Sequence, residues 1–213
     1  MSKPTKTKTP KSKSKEIKED NIDMSVLELL TTGEPPLRSI SLFGDLNEEQ
    51  VQEICSSFIY LKHTAHTNVE KESSDAAAIE FIISTWGGDA LGMFAIYDLM
   101  RTVRKECPIH TFAIGKVMSA GVLLLAAGTK GVRRIGKNTR IMMHSVRGNH
   151  VGAIHSLENE MNETRWIQKQ HIESLVAETK MSTKQLNTML NKKVDVYLSA
   201  EDAIRLGIAD IIV

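Results

Sequence analysis

The ten residues Ile114-Gly-Lys-Val-Met-Ser-Ala-Gly-Val-Leu123 mark the point where a strand pattern gives way to a helix pattern. The apolar run Thr111–Ile114 leads in, Gly115 reads as a turn, and Ala120–Ala127 reads as a buried helix. Ser119 therefore stands at a strand-to-helix junction. The unpaired N–H groups and positive dipole end of a helix favour negative charge developing on such a hydroxyl. Serine is also a favoured N-cap, so the junction alone fits an ordinary helix start equally well. A serine nucleophile needs a base and an oxyanion hole as well.

Working outward, the chain alternates strands and helices. Upstream, Ser39–Phe43 and Ala78–Ser84 read as strands. Asn47–Leu61 reads as a helix with Val51, Ile54, Cys55, Phe58 and Ile59 on one face. His63–Asp75 reads as a polar, solvated loop, and Trp86-Gly87-Gly88-Asp89 as a turn before a helix over Ala90–Arg104. Downstream, Ile109–Ile114, Val132–Ile135 and Arg140–His144 read as strands, and Gly152–Lys180 as a long amphipathic helix. Thr183–Leu190 adds a short helix capped by Ser182, Ser199 caps another that runs through Leu206, and Ala209–Val213 closes the chain as a strand. This alternation predicts an α/β domain with a largely parallel sheet.

Composition bounds what such a domain does. The chain has 213 residues, 41% hydrophobic and 25% charged, with a formal net charge of +1. Seven lysines between Lys3 and Lys18 leave the remainder mildly acidic. The lysine-, serine- and threonine-rich residues 1–22 are expected to be a disordered tail, because they offer too little apolar surface to offset ordering. Residues 23–213 are expected to form one domain, with Met24–Leu30 a short apolar contact segment before the break at Pro35-Pro36. No basic face follows the tail, which argues against nucleic acid as a partner. No apolar run approaches the roughly 18 residues of a membrane span, and no secretory signal is legible. The expected location is cytoplasmic, with an organelle stroma or matrix the other possibility. Cys55 and Cys107 lack metal-ligand spacing and are expected to be free thiols; no metal site is expected.

Three more positions carry chemistry. Gly87-Gly88 lets backbone N–H groups approach a ligand, although paired glycines also serve as a plain tight turn. His144 ends a strand beside apolar methionines, as either a packed residue or a base. Asp195 sits between valines and needs a partner there. Lys192 and Lys193 are surface candidates; the alternative is the Nδ1–H of a histidine, as in a Ser-His-Asp arrangement. The other six histidines are expected to be solvated.

The ordered set resembles the proteolytic subunit of the Clp protease family over about Arg38–Val213. The resemblance is carried by Trp86-Gly-Gly-Asp89, Ala95-Ile-Tyr-Asp98, Met118-Ser-Ala-Gly121, Ala126-Ala-Gly-Thr-Lys-Gly131, Asn138-Thr-Arg-Ile-Met-Met-His144, Asp195-Val-Tyr-Leu-Ser-Ala-Glu-Asp-Ala203 and Gly207-Ile-Ala-Asp210. It implies a crotonase-like spiral of ββα units with a protruding handle helix, here Gly152–Lys180. It implies a serine endopeptidase with Ser119 as nucleophile, His144 as general base and Asp195 as the orienting acid. Gly88 and Ala120 would be the backbone oxyanion donors, and Gly87, Ser145, Arg147 and Gly148 would contact substrate.

The resemblance also implies self-assembly into two stacked seven-membered rings around a chamber. A Clp-type AAA+ unfoldase would deliver unfolded polypeptides and spend the ATP, so no cofactor belongs to this chain; a paralogous or host subunit is a further expected partner. This sequence departs from the family at Thr85-Trp86-Gly87-Gly88, where Ser-Pro-Gly-Gly is usual, and at Ser145-Val146-Arg147-Gly148, where Gln-Pro usually follows the histidine. Three other readings stand beside it. Coenzyme A enzymes share the fold but use carboxylate pairs. A Ser-Lys dyad would use Lys116, and a catalytically weak or inactive subunit would serve mixed rings structurally.

Overall fold

Seven strands build one sheet in the computed structural model, which describes residues 37–68, 78–190 and 194–213. The expected tail, the Met24–Leu30 segment, the domain boundary at residue 23 and the two lysines before Asp195 lie outside the described residues. Strand β1 (Ser39–Leu46) is followed by α1 (Glu48–Asn68), β2 (Ile79–Gly88), α2 (Ala90–Val103), β3 (Ile109–Met118) and α3 (Ala120–Ala126). Then come β4 (Arg134–Ile135), β5 (Arg140–Met143), α4 (Ile154–Glu178), α5 (Thr183–Leu190), β6 (Val196–Leu198), α6 (Ala200–Leu206) and β7 (Ile211–Ile212). The mixed α/β class with a mainly parallel sheet agrees with the sequence expectation, and Arg38–Val213 form one compact unit.

Strands β1, β2, β3, β4 and β7 pair in that order, all parallel. The helices between them cover the apolar side chains that a parallel sheet leaves on its faces. Phe58 of α1 meets Phe81 of β2 edge to face at 5.4 Å, and Ile96 and Met100 of α2 and Leu123–Leu125 of α3 are fully buried.

Two departures from the sequence reading matter for function. First, β2 and β3 run further than expected. Gly87 and Gly88 still belong to β2, paired through Asp45 and Leu46 of β1. Gly115, read as a turn, is a bulge: Ile83 pairs with Ala113, but Thr85 pairs with Val117, so β3 gains two residues on its neighbour. Beyond the bulge the strand continues because a new partner takes it up. Phe112 and Ala113 pair with β4, whereas Lys116, Val117 and Met118 pair with β5. Second, α1 runs through Asn68, so the helix claims the first residues of the stretch read as a loop; the rest of that stretch lies outside the described residues.

The long helix α4 has two different halves. Its C-terminal turns bury His171, Ile172, Leu175 and Glu178. Ile154, Met161 and Trp166 of its earlier turns are 72%, 48% and 50% exposed, so the chain leaves much of the apolar side of this helix uncovered. The root is clamped by charge. The buried Glu178 carboxylate accepts from Arg104 at 2.7 and 3.0 Å and from the Tyr97 hydroxyl at 3.2 Å, and pairs with Lys130 at 3.1 Å. Arg133 donates to the Glu178 carbonyl at 2.9 Å. An acid at a helix C-terminus opposes the dipole, and these cations offset that.

Candidate active site

Ser119 occupies the N-cap position of α3 but does not cap: its side chain makes no capping hydrogen bond. Its backbone sits at φ 51° and ψ −117°, and it is the one non-glycine residue with positive φ among the described residues. That is a costly conformation for a side chain with a Cβ. The surroundings enforce it. The Ser119 N–H donates to the Met142 carbonyl of β5 at 2.8 Å, and the Ser119 carbonyl accepts from Val122 at 3.1 Å. A serine on a strained strand-to-helix turn is the arrangement that presents a nucleophilic hydroxyl.

The same β3–β5 pairing delivers the histidine. With Met142 pinned beside Met118 and Ser119, His144 follows two residues later, immediately past the end of β5. Strand β6 then pairs antiparallel to β5, with Ile141 opposite Leu198, Met142 opposite Tyr197 and Met143 opposite Val196. One step further along that register stand His144 and Asp195. Both therefore follow the last pair of this ladder at the same end, and no hydrogen bond joins them.

The glycine turn approaches from β2. A Cβ on Gly87 would come within 2.6 Å of the Ser119 Cβ and 3.1 Å of the Ala120 nitrogen. A Cβ on Gly88, at φ 147°, would lie 2.1 Å from the Leu46 carbonyl oxygen. No other residue type fits either position without moving backbone. Both ends of the turn are tied down. The buried Thr85 hydroxyl donates to the Gly44 carbonyl and accepts from the Gly87 N–H at 3.0 Å. Asp89 donates its N–H to Leu46 at 2.9 Å and caps α2 by accepting from Leu91 and Gly92, each at 3.0 Å. The sequence reading quotes Thr85 and Asp89 only as flanks of Trp-Gly-Gly and gives them no role at the site; a hydroxyl and an acid at those flanks are the signal available there.

These elements enclose a cavity of about 500 Å³. Of the residues singled out from sequence, Gly88, Ser119, Ala120, His144, Ser145, Arg147 and Gly148 line it. Gly87 stands directly behind the serine, and Trp86, 60% exposed, lines the mouth. The Lys116 ammonium lies 4.7 Å from the centroid of the Trp86 ring, a cation–π contact, and no hydrogen bond joins it to Ser119. This weighs against the Ser-Lys dyad. Asp195 is not a lining residue. Its carboxylate is paired with the Arg147 guanidinium, and the His144 Nδ1 lies 2.5 Å from the Ser145 carbonyl oxygen. Among the described residues no group of side chains could hold a metal ion.

One expectation fails. His171 was read as solvated, but it lies on the inner face of α4, is 7% exposed and lines the same cavity. Its Nε2 has no hydrogen-bond partner. Burial, with His144 nearby, lowers its pKa to about 4, so the ring is neutral at neutral pH. The sequence signal was its spacing: His171, Leu175 and Glu178 fall on one helical face. His150, read the same way, is partly buried, with Nε2 3.1 Å from the Thr164 hydroxyl and Nδ1 2.9 Å from Glu160. Cys55 and Cys107 are both free.

A family model described as Clp protease matches residues 36–213. The match covers the whole sheet and every residue of the cavity, and with it the chain is placed in the Clp protease family, as a ClpP-like peptidase.

Proposed function

We propose that this chain is a serine endopeptidase that cleaves unfolded polypeptides inside a ring-shaped chamber. The observation that carries the reading is Ser119: a strained serine, released from capping, shares one cavity with a histidine and two backbone N–H donors. In the proposed cycle the Ser119 hydroxyl oxygen attacks the scissile carbonyl carbon while His144 takes the hydroxyl proton. The N–H groups of Gly88 and Ala120 hold the resulting oxyanion. The C–N bond breaks, the amine leaves with the proton from His144, and an acyl-serine remains. Water, activated by the same histidine, releases the acid and restores Ser119. A main-chain donor is indifferent to side-chain identity, so alanine at position 120 serves. Asp195 would take the His144 Nδ1–H, fixing the tautomer and stabilising the imidazolium. Both follow the last pair of β5 and β6 at the same end, which supports this role; the step requires Asp195 to exchange Arg147 for His144.

The uncovered apolar residues of α4 support assembly into two stacked heptameric rings, with this helix as the handle between them. A Clp-type AAA+ unfoldase would supply unfolded chains and consume the ATP, in the cytoplasm. Rings that mix this chain with a second ClpP-like subunit belong to the same reading. A second reading, a catalytically weak or silent ring member, is favoured by the Arg147–Asp195 pair and by the contact of His144 Nδ1 with the Ser145 carbonyl.

Labelling with a fluorophosphonate probe, on wild type and Ser119→Ala with size-exclusion chromatography of both, separates them. The peptidase reading expects labelling and peptide hydrolysis on a ring-sized particle, both lost in Ser119→Ala with the particle unchanged. An unlabelled, well-folded ring would establish the silent subunit instead.

A further inference from the structure

His171 is the part of this cavity that the peptidase cycle leaves unused. A buried polar atom normally has a partner, because desolvating it without one costs more than an ordinary hydrogen bond returns. Every other buried side-chain nitrogen or oxygen among the described residues has one; the His171 Nε2 does not. The ring stands in the wall of the cavity that Ser119, Ala120, His144 and the apolar Ile167 and Met93 also line. A cavity wall that holds a buried, unmatched hydrogen-bonding group beside apolar side chains suits a ligand that brings the match.

We propose that His171 is a specificity-determining residue which hydrogen-bonds the substrate side chain next to the scissile bond, so that the cavity favours a carboxamide there, glutamine above all, over an apolar side chain of the same shape. The chemistry selects the amide. At neutral pH the ring carries no charge, so one of its nitrogens donates and the other accepts. A carboxamide offers both a donor and an acceptor and matches either tautomer. A lysine or glutamate side chain would have to shed its hydration to enter the same wall, at higher cost. A methionine fits the shape and leaves the imidazole unmatched. Sites built to hydrogen-bond a substrate group discriminate against analogues lacking it far more strongly than apolar pockets discriminate by size.

The inference rests on the peptidase reading for what occupies the cavity, and the test separates the two. Two peptides differing only in a C-terminal glutamine or methionine, each the product of a cut after that residue, are titrated calorimetrically onto full-length Ser119→Ala protein. They are titrated likewise onto the Ser119→Ala protein carrying His171→Leu. The glutamine peptide is expected to bind at least about tenfold more tightly in the first protein, with the preference lost or inverted in the second. If His171→Leu does not fold, His171→Phe, closer in shape, replaces it. Equal affinities in the first protein, a preference that survives loss of the imidazole, or no binding of either peptide would overturn the proposal. Turnover of the corresponding substrates by wild type is read separately. No turnover with the glutamine preference intact would strike the peptidase reading and leave the recognition role standing.

Discussion

Ser119 is held by its backbone rather than by its side chain, and the two residues proposed to work with it are held by other contacts. Asp195 is paired with Arg147, an ion pair in which the arginine is mostly exposed. Exposed pairs contribute little stability, about 0–1 kcal/mol, so exchanging this one for the proposed contact with His144 costs little. Arg147→Ala is therefore expected to raise kcat, by freeing Asp195, with little change in melting temperature. Asp195→Asn is expected to lower kcat by several orders of magnitude, on the order of 10⁴-fold, because the amide favours the wrong imidazole tautomer. Steady-state kinetics on a fluorogenic peptide check both. A fall in kcat for Arg147→Ala would mean that the guanidinium contacts substrate rather than competing for the acid.

At the scale of elements, the first turns of α4 and its root have different tasks. Trp166→Glu together with Met161→Glu places charge at two half-exposed apolar positions of this helix, outside its buried root. Sedimentation is expected to show the proposed double ring halved to single rings, with the monomer fold retained by circular dichroism. At the root, burial alone would raise the Glu178 pKa, but the hydrogen bonds from Arg104 and Lys130 overcome this and hold it below the usual carboxylate value. Glu178→Gln leaves those cations unmatched and is expected to cost about 3 kcal/mol, read as a lower urea midpoint. Most element positions were legible because their periodicities are strong: Val51, Ile54, Cys55 and Phe58 mark α1, although Ile59, expected on the same face, is 58% exposed, and the Ser199 cap marks α6. The bulge at Gly115 was not, since glycine marks a turn and a bulge alike and only the partner strand decides. Ser119 and His144 stood out at element ends. The burial of His171 did not, because a histidine on a charged helix looks solvated until the sheet beneath it is known.

For the whole molecule, two buried titratable groups make stability fall on the acid side. His171 has its pKa lowered from 6.5 to about 4 in the fold, so the unfolded chain binds the extra proton between those values. Its contribution is complete above about pH 6.5 and is lost as the pH falls towards 4, a change on the order of 3 kcal/mol. Glu178, also lowered, stabilises above the ordinary carboxylate pKa, and its contribution is lost as the pH drops through its folded value. Urea midpoints measured from pH 7 to pH 4 are expected to decline, and His171→Leu should flatten the upper part of that decline.

The two-residue excess of β3 over β2 has a consequence for how such a chain varies in length. Side chains alternate along a strand, so an even excess preserves parity and an odd one reverses it. Removing Gly115 alone would turn over the remainder of the strand, exchange the buried Val117 with the half-buried Lys116, and aim residue 119 at the opposite side of the sheet. Insertions and deletions within β3 are thus expected to be tolerated only in pairs: the position of the proposed nucleophile is counted in twos.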